Sequence, residues 1–579
     1  MTLESSPADG FAARIDLGTR ALLARLTASM SPQALALAWL DWASHLAVSP
    51  GKGLQVGLQA ACQAAQLVGY RWAALAAPTQ AVPPVTDRRF ADPAWRQWPF
   101  NLLHQSFLLH ERLWDGATHG VRGVEPHHEQ LVAFFARQWL DMLSPGNFGP
   151  TNPVVLRRTM EEAGNNLWRG HLNLVEDARR LLAGEPPAGA ENFVPGREVA
   201  VTPGKVVLRN RVMELIQYAP AAAGAQVHPE PLLVVPAWIM KYYILDLSPH
   251  NSLIRYLVAQ GRTVFCISWK NPGEAERDLG MDDYLEEGFH AALDAVNAIV
   301  PQQPVHAVGY CLGGTLLAIA AAAMARDGDH RLATMTLFAA QTDFAEPGEL
   351  GLFIDESEVS LLEAQMARTG YLTAGQMAGA FQMLRSYDLL WSRLVGDYLL
   401  GERPAMNDLM AWNADATRMP AKMHGQYLRR LFLHDDLAQG RYPVRGRPVA
   451  LADLTLPVFM VGTETDHVAP WRSVFKLQYQ TLAEITFVLT SGGHNAGIVS
   501  EPGHPRRHYR LLTHPAGAPY VAPEEWLGLA PVAEGSWWPE WVQWLRQRSA
   551  DPGAPPRMGA PRRGYPVLGD APGRYVLEK

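Results

Sequence analysis

Apolar side chains in the first part of the chain recur three or four positions apart. Leu35, Trp39 and Trp42 illustrate this spacing in a stretch that is rich in Ala and Leu. Residues spaced in this way lie on one face of a helix. Further helical patterns end at Leu113 and cover Glu129–Leu143 and Val155–Leu182, after a Pro-rich break at Pro78–Pro84. The sequence therefore predicts an all-helical N-terminal domain over residues 1–190.

From Val199 onward the pattern changes to short apolar runs of strand length, which alternate with helical segments. The predicted strands are 205–208, 232–235, 263–268, 305–308, 334–338, 456–461 and 485–489, and helices are predicted at 251–260 and 282–299. Strands and helices that alternate at this spacing are typical of a largely parallel sheet with crossover helices. An α/β fold is therefore predicted for residues 191–545.

Two stretches depart from this alternation. Residues 345–450 have helical spacing and are crowded with Met, Trp and Tyr, which predicts an insertion between core strands that forms a helical lid over the site. Residues 546–579 are rich in Pro, Gly and Arg. From this composition we expect a tail without packed structure.

Composition narrows the class of protein. The 579 residues are long enough for several domains, and 48% of them are hydrophobic. A formal net charge of −7 without a basic block argues against a general nucleic-acid binder. Apolar runs fall short of the roughly 20 residues of a membrane span. Met1–Ile15 is acidic and lacks an apolar core, so we expect no export signal.

The three cysteines indicate the compartment and exclude some kinds of site. Cys62, Cys266 and Cys311 are too few and too scattered for a disulfide framework or a zinc site. A reducing cytoplasm therefore fits best, and no metal is expected.

Cys311 is the first candidate for chemistry. It lies in Gly309–Gly314, between the apolar run Val305–Val308 and the helical pattern Thr315–Met324. Strand, glycine turn and helix in this order form the nucleophile elbow of an α/β-hydrolase, here with cysteine in the usual place of serine. The alternative is a buried core cysteine beside a chance pair of glycines.

Two further candidates follow predicted strands. Asp466 comes after the strand that ends at Val461, and His494 comes after the strand that ends at Thr490. The chain order of nucleophile, acid and base is the order that α/β-hydrolases use. A free thiol with a pKa near about 8.5 is mostly protonated at neutral pH, so an imidazole is needed to take its proton. A carboxylate then fixes the tautomer of that imidazole.

Each of these residues also has an alternative interpretation. A lone histidine is more often structural than catalytic, and Asp466 could cap a helix or hold a turn. Glu464 and His467 lie on the same predicted loop and compete for the roles of acid and base. His467 directly follows the acid, so His494 on a separate loop is the better candidate for reaching the thiol.

Acyl transfer also requires two backbone donors for the oxyanion. In this fold they come from the residue after the nucleophile and from the loop after an early strand, which are here the N–H groups of Leu312 and Ile239. The alternative for the segment Pro236–Met240 is a plain loop between strand and helix. A cysteine nucleophile exchanges acyl groups readily with thioesters, so the sequence favours acyl transfer from a thioester over simple hydrolysis.

A set of separated motifs closely resembles the polyhydroxyalkanoate synthases, which build storage polyester from (R)-3-hydroxyacyl-coenzyme A. The resemblance covers residues 85–545. Besides the cysteine elbow, the motifs are Phe90–Trp95, Thr151–Pro153, Pro236–Pro249, Ser268–Pro272, Trp412–Asp415, Asp466–Trp471, Gly493–His494 and Gly535–Pro539.

The resemblance implies an activity and a setting for it. Cys311 would hold the growing chain as a thioester, His494 would activate the thiol, and Asp466 would help to deprotonate the 3-hydroxyl, directly or through His494. No cofactor is expected beyond the coenzyme A of the substrate. The family implies a cytoplasmic homodimer at the surface of a polyester granule, with granule-surface proteins as further partners.

Some details and alternatives stay open at this point. Family members usually carry asparagine where Met240 stands, next to the predicted oxyanion donor. The length and Tyr310–Leu312 look more like the single-subunit, short-chain class. A thioesterase or a polyester depolymerase would use the same fold and triad. A non-catalytic protein of the granule coat is a third alternative.

Overall fold

A computed structural model describes residues 7–27, 30–76, 87–377, 379 and 390–579. The predicted break at Pro78–Pro84 lies outside these residues. The chain divides into two compact units. One unit is helical and contains the described residues of 30–188 together with 379 and 390–405, and the other contains the remaining described residues and the main sheet.

In the helical unit, a residue from one of the sequence motifs caps the start of a helix. Asn152 accepts hydrogen bonds from the N–H groups of Val154 and Val155, at 2.9 and 3.3 Å, and Pro153 occupies the first turn, where an N–H would lack a partner. Phe90 and Trp95 are buried in the core of this unit. Its α-helices are Pro32–Ala47, Pro50–Ala76, Phe100–Thr118, Pro126–Met142, Pro153–Glu161 and Asn165–Ala183, with a π-helix at Leu394–Leu399.

The second unit is built on an eleven-stranded mixed sheet. Its strands are β1 Gly204–Arg209, β2 Met213–Tyr218, β3 Leu232–Val235, β4 Val264–Trp269, β5 Val305–Tyr310, β6 Leu332–Phe338, β7 Val458–Thr463, β8 Ile485–Thr490, β9 His508–His514, β10 Val532–Glu534 and β11 Gly569–Asp570. The spatial order is β10-β9-β8-β7-β6-β5-β3-β4-β2-β1-β11.

The six central strands, from β4 to β8 in this order, run parallel, and the outer strands are antiparallel. Every residue of β3, β5, β7 and β8 is buried, as expected of strands covered by helices on both faces. The prediction of an α/β fold with a largely parallel core is therefore confirmed. The carboxyl ends of β3, β5, β7 and β8 share one edge of the sheet, so the loops that follow them lie close together.

Helices connect and cover these strands. Leu312–Asp327, here called the elbow helix, follows β5 and is buried from Leu312 to Met324, which explains why its sequence is apolar on all sides. The others in this unit are Pro7–Leu26, Leu253–Ala259, Met281–Asp283, Ala291–Ile299, Glu356–Thr369, Asp408–Asn413, Ala421–Tyr427, Trp471–Phe475, Leu477–Gln480, Pro523–Leu529 and Trp538–Arg546. No described helix is long and apolar enough to cross a bilayer.

The boundaries predicted for the helical domain and the lid differ from those observed. Helix Pro7–Leu26 packs in the sheet unit, where the guanidinium of Arg20 donates to Ser360 Oγ at 2.9 Å. The described part of the predicted lid, 345–450, joins the sheet unit except for 379 and 390–405, which group with the helical unit. Helical spacing does not identify the partner on which a helix packs, so the sequence could not place these segments.

The prediction that residues 546–579 lack packed structure is wrong. Strand β11 pairs with β1, and Val576 is only 2% exposed within the main core. The buried side chain of Glu214 on β2 accepts the N–H groups of Arg574 and Tyr575 at 2.8 and 3.0 Å. The main-chain groups of this segment are thus bound by polar side chains of the sheet, an arrangement that its Pro- and Gly-rich composition does not reveal.

Because this segment is packed, we expect substitution of two of its valines to change the free energy of unfolding by different amounts. We expect Val576→Ala to lower the free energy of unfolding by about 1.5 kcal/mol, because two buried methylene equivalents are lost. Val567→Ala is the matched control, since Val567 is 42% exposed. The urea midpoint of the sheet unit measures both. Equal, negligible effects of the two substitutions would contradict a packed terminal segment.

Candidate active site

Cys311 occupies a strained turn at the carboxyl end of β5. Its backbone has a φ of +52° and a ψ of −126°, a conformation that costs a residue with a side chain about 1–3 kcal/mol. The Cys311 N–H donates to the carbonyl of Phe338 on β6 at 2.9 Å, which holds the turn in place. The thiol is half-buried, at the edge where the predicted site residues meet.

Glycines surround this turn because the backbones approach each other too closely for a side chain. A Cβ atom on Gly313 would lie 2.5 Å from the carbonyl oxygen of Pro236 and closer still to that of Val235. A Cβ on Gly309 would collide with the Cα of Gly314. The contact at Gly313 also shows that the loop after β3 lies directly against the start of the elbow helix.

Asp466 lies in the loop after β7 and is fully engaged as an acceptor. Its Oδ1 accepts the N–H groups of Val468 and Ala469, both at 2.8 Å, and its Oδ2 accepts the Oγ1–H of Thr463 at 3.0 Å and Nδ1–H of His494 at 2.8 Å. Burial acts to raise the pKa of this carboxyl, but the charge of His494 and these hydrogen bonds outweigh it and lower the pKa. Asp466 is therefore an ionised carboxylate.

His494 joins the acid to the thiol. Burial acts to lower its pKa, yet the charge of Asp466, the hydrogen bond from Nδ1 to that carboxylate and the neighbouring Cys311 raise the pKa of the imidazole well above its ordinary value. Since Nδ1 is bound to Asp466, the other ring nitrogen is the one that serves the thiol. The structure brings Cys311, His494 and Asp466 together in the arrangement that the sequence predicts.

Of the two competing residues on the acid loop, Glu464 binds another histidine, and His467 is not the histidine that Asp466 binds. Glu464 pairs with Nε2 of His508 on β9 at 3.1 Å, and Asp466 bonds His494 although His467 is its neighbour in sequence. Tyr310, which sequence reasoning missed, packs its ring 5.7 Å from the imidazole of His494. The position of Tyr310 directly before Cys311 in the sequence was the signal that could have placed this tyrosine in the site.

A tryptophan pair holds the loop that carries His494. The indole N–H groups of Trp537 and Trp538 donate to the carbonyls of Gly497 and Ile498, both at 3.0 Å. Both indoles are buried in the main core. The motif Gly535–Pro539 is thus a support for the base, which its sequence alone did not indicate.

The loop after β3, residues 236–241, contains the predicted oxyanion segment Pro236–Met240 and is here called the oxyanion loop; it is fixed through its carbonyl groups. The carbonyl of Ile239 accepts the N–H of Thr417 at 3.3 Å. This bond uses the carbonyl of Ile239 and not the N–H group that is predicted to bind the oxyanion. Met240 forms a bridge with Ala416. Three further bonds run from Trp269 Nε1 to the Pro236 carbonyl at 2.7 Å, from Thr417 Oγ1 to that of Trp238 at 2.6 Å, and from Trp412 Nε1 to that of Lys241 at 2.7 Å.

These bonds explain why the separated motifs occur together. Trp269 comes from the motif at the end of β4 and Trp412 from the motif in the insertion, and both donate to carbonyls of the same loop. The second predicted donor, Leu312, is the first residue of the elbow helix, where a backbone N–H has no partner within the helix. Both predicted donors therefore lie in segments that the elbow contact holds against each other.

The insertion contributes a tyrosine to the site. Tyr427 ends helix Ala421–Tyr427 and is buried, and its pKa is raised well above the ordinary value by burial and by the charge of Cys311. Met423 of the same helix accepts the indole N–H of Trp238 at 3.2 Å. This helix therefore packs against the loop after β3 and places Tyr427 close enough to Cys311 for an electrostatic interaction. Among the described residues no cluster with metal-binding geometry occurs.

The fold, with Cys311, His494 and Asp466 at one edge of the sheet, is that of the α/β-hydrolase-fold proteins. Residues 230–501 match the family model described as the alpha/beta hydrolase fold. Residues 86–257 match the model of the poly-beta-hydroxybutyrate polymerase (PhaC) N-terminus, and residues 10–52 match a further N-terminal model of that polymerase.

Two relatives that match over most of their length identify one family within this class of proteins. The poly(3-hydroxyalkanoate) polymerase of Methylorubrum extorquens is 43% identical over 505 residues, which cover 86% of this chain and 82% of the relative. The PhaC subunit of the polymerase of Cupriavidus necator is 37% identical, and the match covers 88% of this chain and 86% of the relative. The chain therefore belongs to the poly(3-hydroxyalkanoate) polymerase family of acyltransferases, and the resemblance in its motifs is confirmed.

The steric contact at the elbow leads to a first test of the site. We expect Gly313→Ala to destabilise the protein by about 1–3 kcal/mol and to slow acylation of Cys311, because the added Cβ displaces the loop after β3. Gly528→Ala is the matched control, since a Cβ on that helical glycine meets open space. Thermal unfolding and single-turnover acylation measure the two effects. A fully active, stable Gly313→Ala protein would contradict the close approach.

The charge on Asp466 leads to a second test. In Asp466→Asn we expect the pKa of His494 to fall, so that the imidazole takes the proton of the thiol less readily. We expect alkylation of Cys311 by iodoacetamide to drop about 100-fold near pH 6.5 and much less near about pH 9.5, where a free thiol ionises unaided.

Glu464→Gln serves as the control for this experiment, because Glu464 lies on the same loop but faces His508. Its alkylation profile should stay within about twofold of the wild type at both pH values. Similar deficits in the two variants, or a deficit that does not depend on pH, would argue against Asp466 as the partner of the base.

Proposed function

We propose that this chain polymerises (R)-3-hydroxyacyl-coenzyme A into polyhydroxyalkanoate and releases coenzyme A, with the growing chain held as a thioester on Cys311. Membership of the polymerase family supports the reaction. The observation that carries the route is the strained cysteine of the elbow beside a histidine that Asp466 holds.

Loading of the enzyme begins with attack of the Cys311 sulfur on the thioester carbonyl of the substrate, while His494 keeps the proton of the thiol. The tetrahedral oxyanion that forms is stabilised by the N–H groups of Leu312 and Ile239. Collapse breaks the carbonyl–sulfur bond to coenzyme A, whose sulfur takes the proton from His494. The products are acyl-Cys311 and free coenzyme A, so atoms and charge balance.

Elongation uses the 3-hydroxyl group of one acyl unit as the nucleophile. Its oxygen attacks the thioester carbonyl of another unit, an ester forms, and a thiol is released. We propose that His494 takes the hydroxyl proton and that Asp466 acts through it. Four donors already occupy the oxygens of Asp466, and its lowered pKa makes it a weak base.

A cysteine suits this chemistry better than a serine. A thioester on Cys311 keeps the acyl group nearly as activated as it is in the coenzyme A substrate, whereas a serine ester is more stable and transfers less readily to an alcohol. The buried surroundings of the thiol, with Tyr427 and Leu312 both buried, favour attack by a bound hydroxyl over attack by water.

The setting that we propose follows the family. The enzyme is a cytoplasmic homodimer that works at the surface of a polyester granule with granule-surface proteins, and it needs no metal or cofactor beyond the coenzyme A of its substrate. We propose the single-subunit class with short-chain monomers. Strongly exposed apolar residues on helix Asn165–Ala183, such as Leu181 and Leu182, are consistent with contact to a hydrophobic surface.

Two substitutions of the nucleophile test the reaction. With (R)-3-hydroxybutyryl-coenzyme A the wild type should release coenzyme A and form insoluble polymer, and Cys311→Ala should do neither. Cys311→Ser should keep the thermal stability of the wild type but lose most polymer. Cys62→Ala is the control, since that cysteine is exposed and should not affect either readout.

The contrary outcomes separate the alternatives. Release of soluble 3-hydroxy acid without polymer would identify a thioesterase. Unchanged release of coenzyme A by Cys311→Ala would remove Cys311 as the nucleophile. The absence of any release by the wild type would favour a non-catalytic protein of the granule coat.

A further inference from the structure

Lys241 is a buried lysine whose ammonium group is bound by carbonyls of residues 575–578. The side chain is only 4% exposed. Its Nζ donates to the carbonyls of Tyr575, Val576 and Glu578, at 3.4, 3.0 and 2.5 Å. An ammonium has three protons and no acceptor, so three carbonyls match its hydrogen-bonding capacity. Burial lowers the pKa of Lys241, and the charges of Asp415 and Glu578 oppose that effect.

These carbonyls belong to a short 3-10 turn, Tyr575–Leu577, and to the residue that follows it. Within the turn the Tyr575 carbonyl also accepts the Glu578 N–H, at 3.2 Å, whereas the last carbonyls of a helical turn lack such partners and attract positive charge. Lys241 therefore caps this turn, which we call the terminal turn. The interaction is specific in geometry, because the three acceptors converge on one nitrogen atom.

The terminal turn is itself held firmly by the sheet. Glu214 on β2 is completely buried and accepts the N–H groups of Arg574 and Tyr575 at the start of the turn. The Tyr575 hydroxyl donates to the carbonyl of Asn210 at 2.6 Å, and the side chain of Val576 lies in the main core. The turn is thus a fixed point in the sheet unit.

On its other side, Lys241 is part of the loop that carries the second oxyanion donor. Only Met240 separates it from Ile239. Its carbonyl accepts the indole N–H of Trp412, so both the backbone and the side chain of Lys241 are anchored. A small shift of this residue would move the Ile239 N–H, and a displacement of about 1 Å at a catalytic group can cost 100-fold in rate.

We propose that Lys241 is a positioning residue and that the terminal turn braces the oxyanion loop through it. The inference rests on the proposed function, in which the Ile239 N–H stabilises the oxyanion. It gives the last residues of the sequence a role in acylation of Cys311, although none of them belongs to the set of nucleophile, base and acid.

Two reactions of the same thiol distinguish this role from general support of the fold. Acylation by (R)-3-hydroxybutyryl-coenzyme A passes through an oxyanion, whereas alkylation by iodoacetamide requires only the thiolate that His494 maintains. Both are followed by mass spectrometry of the peptide that contains Cys311. We expect Lys241→Met to slow acylation about 10- to 100-fold and to leave alkylation within about twofold.

Lys205→Met is the matched control, because Lys205 also contacts the terminal segment, at Asp570, but lies on the surface away from the loop. It should change neither rate. Lys241→Arg, which keeps the donors, should restore part of the acylation rate. A chain that lacks residues 575–579 should acylate as slowly as Lys241→Met. This truncated chain tests the same inference if Lys241→Met is recovered poorly.

Acylation of Lys241→Met at the wild-type rate would overturn the inference. An equal loss of acylation and alkylation would also overturn it, because that result indicates general disorder of the site. A wild-type protein that is alkylated at Cys311 but never acylated would instead refute the proposed function, so the two failures can be told apart.

Discussion

The hydrogen bond between Asp466 Oδ2 and His494 Nδ1, 2.8 Å long, is the interaction on which the site depends. It connects the loop after β7 to the loop after β8 and directs the remaining ring nitrogen to the thiol at the end of β5. The parallel register of these strands places all three loops at one edge of the sheet. The sheet therefore supplies the geometry, and in the proposed reaction the pair of Asp466 and His494 activates the thiol.

A steric constraint makes the nucleophile and the oxyanion loop one structural element. Gly313 permits contact between the elbow helix and the carbonyls after β3, and hydrogen bonds from Trp269, Thr417 and Trp412 hold the same loop from outside. Trp269 lies more than a hundred residues before Trp412 and Thr417 in the sequence, yet all three side chains or main-chain groups donate to this one loop. Met240 of this loop forms a bridge with Ala416, so the main chain carries the support at this point.

Much of the core and of the candidate site was predictable from the sequence. Apolar runs located the central strands, and the glycine turn, Asp466 and His494 followed strand ends in a recognisable order. The sequence could not indicate that Glu214 and Lys241, both charged and both buried, bind the main chain of residues 574–578. Such contacts join β2 and the oxyanion loop to a segment more than 300 residues away, and no local pattern of hydrophobicity records them.

The central claim is that Cys311 carries the growing polyester as a thioester. Mass spectrometry of the wild-type protein, quenched within the first turnover with (R)-3-hydroxybutyryl-coenzyme A, tests it most directly. We expect a hydroxybutyryl group on the peptide that contains Cys311. Hydroxylamine should remove this group, as expected of a thioester. Release of coenzyme A with Cys311 unmodified, or with the acyl group on another residue, would contradict the account.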